Sequence, residues 1–220
     1  MEYLNLNKHK YKEVTDKMAE QNLVQFKIFD LYDVSAIEIK DPALRPYLNL
    51  SPKLLLKSRG RIKGKLAKIN FNIVERLAGR LQVPGHVGKK HKIITAWSSG
   101  KYTKNMTLVL ETLDIIAKKT GKNPVQVLVT AIENGSPRDE GTVIEYGGAR
   151  YPQAVDCSPV RRIDLAIRWI VQGAYGKSFG KKTRMTEALA NEIMKASEAS
   201  GESFARNKAN DSEKQADSAR

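Results

Sequence analysis

The chain has 220 residues, 41% of them hydrophobic, enough for one substantial core or two small ones. Lys and Arg number 38 against 24 Asp and Glu, and the net charge of +14 attracts polyanions, meaning nucleic acid or an anionic membrane surface. No run approaches the roughly 18 apolar residues a spanning helix needs, and one cysteine, Cys157, excludes an intrachain disulfide and a Cys-rich zinc site.

Residues 1–50 read as an N-terminal extension. Met1 to Leu6 lack the charged-then-apolar pattern of a signal peptide, which with the single cysteine predicts a cytoplasmic protein. Val24 to Leu31 and Val34 to Ile39 carry loose alternation and β-branched residues, predicting one or two short strands. Asp41-Pro42 and Arg45-Pro46 then break the chain.

Residues 51–70 form a basic linker, and the basic character runs on to 104. Between 51 and 104 stand fourteen bases (Lys53, Lys57, Arg59, Arg61, Lys63, Lys65, Lys68, Arg76, Arg80, Lys89, Lys90, Lys92, Lys101 and Lys104) and one acid, Glu75. Nearly the whole net charge sits there. Solvated helix faces mix signs, because Glu and Lys support each other four residues apart. A stretch almost without acids repels itself until phosphates supply the counter-charge and release condensed cations. Gly60, Gly64, Pro84, Gly85 and Gly88 mark loops in it. The segment is a nucleic-acid-binding element.

Residues 71–220 read as a helical domain with one hairpin. Ile73, Val74, Leu77 and Leu81 make an apolar stripe, with Arg76 and Arg80 assigned to the opposite face. A helix over 103–119 aligns Met106, Val109, Leu110, Leu113 and Ile116, and Gly121 stops it. Asn123-Pro124 opens another, through Ile132. Over about 138–157, two β-rich runs of about seven residues flank Gly147-Gly148, predicting a hairpin that protrudes roughly 20 Å. Ser158-Pro159 starts a helix with Ile163, Ile167, Ile170 and Val171 inward, Arg161, Arg162 and Arg168 outside, and Trp169 in or near the core. Gly176 to Arg184 reads as a basic loop with Lys177, Lys181, Lys182 and Arg184, followed by a helix from Met185 to Ser197. Ser203 to Arg220 is polar and predicts a loosely held helix or tail. The expected class is mainly α: a bundle of five to six helices with a protruding β-hairpin and a basic N-terminal extension containing short strands.

No catalytic set emerges. His9, His86 and His91 show no metal-ligand spacing, Cys157 reads as a small buried residue, and carboxylates form no acid/base pair. Gly60-Arg-Ile-Lys-Gly64-Lys65-Leu66 has three residues between its glycines where a phosphate-binding loop has four, and Leu66 stands where the magnesium-binding hydroxyl belongs. No enzyme, metal or cofactor is expected.

More specific are Asn72-Ile-Val-Glu-Arg-Leu, Thr120-Gly-Lys-Asn-Pro-Val-Gln-Val-Leu-Val, Ala131-Ile-Glu-Asn, Pro137-Arg, and Tyr146-Gly-Gly-Ala-Arg-Tyr-Pro-Gln-Ala-Val-Asp-Cys-Ser-Pro-Val-Arg-Arg-Ile-Asp-Leu-Ala-Ile-Arg-Trp. With the ending from Ser203-Phe-Ala to Ser218-Ala-Arg220, these blocks resemble the archaeal branch of the S-seven family of small-subunit ribosomal proteins, over about residues 43–220. The resemblance implies a structural constituent of the small ribosomal subunit that binds the 3′ major domain of 16S rRNA and nucleates head assembly. The implied partners are that rRNA, exit-site tRNA and mRNA, and neighbouring proteins of the head and platform, with no membrane. The expected rRNA contacts are Lys53, Lys57, Arg59, Arg61, Lys63, Lys65, Lys68, Arg76, Lys89, Lys90, Lys92, Lys101, Lys104, Arg161, Arg162, Arg168, Lys181, Lys182 and Arg184. Tyr146, Gly147, Gly148, Arg150 and Tyr151 form the hairpin expected near the exit-site tRNA and mRNA path. Tyr102 stands where the family often carries Lys. A free-standing nucleic-acid regulator, using the helix from Pro159, is the alternative.

Overall fold

The structure is a computed structural model that describes residues 27–28, 31–51, 64, 66–84 and 101–220. Among these residues the chain builds helices α1 (Ile73–Leu81), α2 (Tyr102–Thr120) and α3 (Pro124–Gly135), strands β1 (Asp139–Tyr146) and β2 (Ala149–Asp156), and helices α4 (Pro159–Ser178), α5 (Met185–Ser197) and α6 (Phe204–Asp217). It is mainly helical, with one antiparallel two-stranded hairpin.

Local chemistry sets the boundaries. The Asn72 side chain accepts from the Val74 N–H at 3.0 Å and starts α1, and Asn123 does the same for Val125 ahead of Pro124 in α3. Gly121, at φ 65°, closes α2. Ile73, Leu77, Leu113, Ile116, Leu128, Ile132, Ile163, Ile170, Leu189 and Ile193 are fully buried in one core. Helix α5 lies at its centre, packed against α2, α3, α4 and α6.

The hairpin turns on Gly147 and Gly148, at φ 58° and 83°, the positive values that a two-residue type I′ turn demands at both central positions. Its arms have eight residues each, paired from Asp139↔Asp156 to Tyr146↔Ala149. In a two-stranded ribbon every strand is an edge, the setting that tolerates Pro152.

Four local expectations are corrected. Val34 to Ile39 form no strand, and the described part of the extension holds only the single bridges Ile28↔Tyr32 and Asn49↔Asn72; the run from Val24 to Leu31 lies mostly outside the described residues. Residues 31–51 instead lie along α3 as an irregular strap. The Gln126 amide both accepts from the Glu38 N–H and donates to its carbonyl, and Glu133 accepts from the Lys40 and Asp41 N–H groups. Leu44 and Leu48 enter the core, so the apolar residues are used for packing and not for pairing. The basic loop starts at Phe179, because α4 continues through Gly176 to Ser178 and Tyr175 stacks on Phe179 with ring centroids 5.4 Å apart. Arg76 lies on the buried side of α1, where α4 supplies a carboxylate. The C-terminal segment is a firmly docked helix. Ala205, Ala209 and Ala216 of α6 are completely buried, and small side chains let the helix approach its neighbours closely.

Candidate nucleic-acid interface

Between α1, the 3-10 turn at Ala67–Asn70 that precedes it, and α4 lies a cleft of about 610 Å³. The turn supplies Lys68, α1 supplies Arg76 and Arg80 one helical turn apart, and α4 supplies Arg161 and Arg168. Among the described lining residues, five cations therefore face one acid, Asp164. That carboxylate accepts from Arg76 Nη2 at 2.9 Å and lies 3.9 Å from Lys68 Nζ. Arg76 also donates to the Tyr47 carbonyl at 3.3 Å, so its 4%-exposed guanidinium is an internal strut.

Arg80 is different. It donates to the Pro84 carbonyl at 3.4 Å and has no carboxylate partner among the described residues, while its buried Nε, like those of Arg76 and Arg162, has no partner there. Burial, and then the charge of Arg168, lower its pKa. Arg168 is exposed and has no carboxylate partner among the described residues. Two like charges lining one cleft together with the apolar Leu165 and Ile167 would be stabilised by an arriving anion. Arginine forks match phosphate oxygens, while the described lining of the cleft holds no amide side chain for reading base edges. Its donor set is chemically suited to backbone phosphates.

The hairpin has the opposite character. Asp139, Glu140, Glu145 and Asp156 outnumber Arg150, which sits 3.6 Å from Glu145. Its outer half is exposed, including Val143, Ile144, Tyr146 and Tyr151. Tyr146, Gly147, Gly148, Arg150 and Tyr151 come together at the tip, as expected of neighbours across a turn.

The family model for ribosomal protein S7p/S5e matches residues 52–220. The small ribosomal subunit protein uS7 of Nanoarchaeum equitans is 48% identical over 198 residues, covering 90% of this chain and 100% of that protein. The uS7 proteins of Thermoplasma volcanium (43%, 88% of this chain and all of theirs) and Methanococcus aeolicus (40%, 90% and all) are similar over the same extent. The chain belongs to the ribosomal protein S7p/S5e family. Members are structural constituents of the small ribosomal subunit and not enzymes. Burial, with the charge of Glu140, pushes the Cys157 thiol up to about 11, so it stays protonated at neutral pH.

For this family member the structure sorts the expected RNA contacts by position. Lys68, Arg76, Arg161 and Arg168 meet in the cleft. Arg162, one residue on, turns inward, donates to Asp41 at 2.7 Å and to the Ser136 hydroxyl at 3.3 Å, and ties α4 to the strap. Lys101 and Lys104 are exposed at the start of α2, which packs on α1. Lys181, Lys182 and Arg184 lie in the loop after α4, about 25 Å along the helix axis from Arg161. Lys53, Lys57, Arg59, Arg61, Lys63, Lys65, Lys89, Lys90 and Lys92 lie outside the described residues. Arg80 is the cleft residue absent from the expected set. Its position four residues after Arg76, on the same side of a helix, was the available signal.

Proposed function

We propose that this chain binds the 3′ major domain of 16S rRNA as a structural protein of the small ribosomal subunit and nucleates assembly of the subunit head. The observation that carries the reading is the cleft between α1 and α4, where five cations surround one acid among the described residues and three of the five come from the stretch 51–104 that holds most of the net charge. Its contacts are with phosphates, and irregular RNA shape supplies the selectivity. Residues 71–220 act as the RNA-binding unit, 51–70 as a basic linker, and 1–50 as an extension. The remaining lysines of 51–104, with Lys181, Lys182 and Arg184, extend the contact beyond the cleft.

The hairpin takes a separate role. Its acidic arms and the apolar, aromatic tip around Tyr146 and Tyr151 suit tRNA or mRNA held at the tip alone, near the exit site, and the proteins that flank it in the head and platform. A free-standing DNA-binding regulator is a poorer fit, because the exposed side of α4 presents Arg161 and Arg168 without amides to read bases.

The test is a filter-binding titration of the full chain against a transcript of the 3′ major domain at several salt concentrations, with duplex DNA as competitor. Binding that resists DNA and weakens steeply with salt is expected. Equal displacement by duplex DNA contradicts the proposed function.

A further inference from the structure

Arg161 belongs to two parts of the molecule. It lines the cation cleft, and its Nε and Nη2 both donate to Glu140 Oε2, at 2.8 and 2.6 Å. Its side chain is 55% exposed, and among the described residues the pairing with Glu140, with a weaker contact to Cys157, is what holds a long, rotamer-rich chain in one place. The hydrogen bond to Glu140 raises the Arg161 pKa. A guanidinium gripped at Nε and Nη2 keeps Nη1 and the second Nη2 hydrogen for another acceptor.

Glu140 is itself fixed by the fold. Neighbours in a strand point to opposite faces. Asp139 turns to α6 and the residues just past its end, where Arg220 reaches it at 2.6 Å and the Ser212 hydroxyl of α6 donates to its carbonyl at 3.4 Å. Glu140 turns to the first turn of α4. The hairpin base is thereby clamped between the end of one helix and the start of another, and the second clamp is a residue of the cleft.

We infer that Glu140 is a positioning residue for RNA binding: from the base of the hairpin it aims Arg161 at a backbone phosphate in the cleft, joining hairpin and cleft into one binding unit. This rests on the phosphate-binding reading of the cleft. Its consequence runs against simple charge counting. Removing an acid beside a basic site strengthens polyanion binding if only net charge matters, and weakens it if that acid holds an arginine in place.

The experiment uses the full chain and the 3′ major domain transcript, with Glu140→Gln, Arg161→Ala, the double variant, and Glu145→Gln as an acid removed further along the same hairpin. Expected are a loss of about fivefold for E140Q and about tenfold for R161A, with the double no weaker than R161A, since the two act through one contact. The salt slope falls by about one in R161A and is unchanged in E140Q, while E145Q binds as wild type or slightly tighter. E140Q binding as tightly as wild type or tighter overturns the positioning role, and so do losses that multiply in the double variant. A wild-type chain that shows no preference for this RNA over duplex DNA fails the proposed function itself, and the positioning role with it.

Discussion

The two ends of α4 use charge in opposite ways. At the far end Lys177 pairs with Glu192, whose completely buried carboxylate also accepts from the Ser203 hydroxyl at 2.9 Å and the Ala205 N–H at 3.3 Å. Every acceptor there is used, and the product is a joint between α4, α5 and α6. At the near end Arg161 and Arg168, with Arg80 and Lys68 across the cleft, outnumber their acids, and the buried Arg80 Nε has no partner among the described residues. Paired charge holds the fold together. Charge left in excess at a concave surface is held in reserve for a ligand, at some cost in self-repulsion.

This division predicts that substitutions at the two ends separate stability from binding. The largest effect is expected for Glu192→Ala, which leaves the buried Ser203 hydroxyl and Ala205 N–H without their acceptor and removes the partner of the part-exposed Lys177, and costs about 3 kcal/mol in urea denaturation with m unchanged. RNA affinity under native conditions stays near wild type. Gly173→Ala strikes the same joint from the other side. A Cβ there would sit 2.7 Å from Phe204 Cβ and 3.0 Å from Glu192 Cδ, so α6 must shift, at about 2 kcal/mol in the same measurement.

At the near end the signs reverse. Arg80→Ala and Arg168→Ala each weaken RNA binding about tenfold, and each leaves stability within about 0.5 kcal/mol of wild type. A smaller effect probes the strap. Burial alone would raise Asp41, but hydrogen bonds from Arg162 and the Ala43 N–H, with the Arg162 charge, hold it below its ordinary value. A carboxyl depressed by folding stabilises above its unfolded pKa, and that stability is lost as pH falls through the folded value. Asp41→Asn therefore loses about 1 kcal/mol at pH 7, and the gap to wild type closes on acidification below the ordinary carboxylate range.

Much of this architecture was legible in the residue pattern. The stripes of α1, α2 and α4, the Asn123-Pro124 start and the Gly147-Gly148 turn are local signals, and each element formed where its period and caps pointed. Interactions at long range were not. Nothing near Arg76 announces that Asp164, 88 residues away, makes it an internal strut. Arg161 and Arg162 look equivalent in sequence, yet one lines the cleft and the other is spent on Asp41, because successive helical positions point 100° apart. Helix α6 looked loose because its buried positions are alanines, which carry little hydropathy and yet pack closely. The strap looked like strands because Val34, Ile37 and Ile39 are β-branched, although here they only rest against the core.

The most direct measurement is the salt dependence of binding to the 3′ major domain transcript for wild type, the Arg80→Ala/Arg168→Ala double variant and Lys177→Ala. The account predicts a slope lower by about two in the cleft double variant, with affinity falling accordingly, and a wild-type slope in Lys177→Ala, whose charge is already neutralised within the fold. Equal slopes in all three proteins would mean that the cleft cations meet no phosphate.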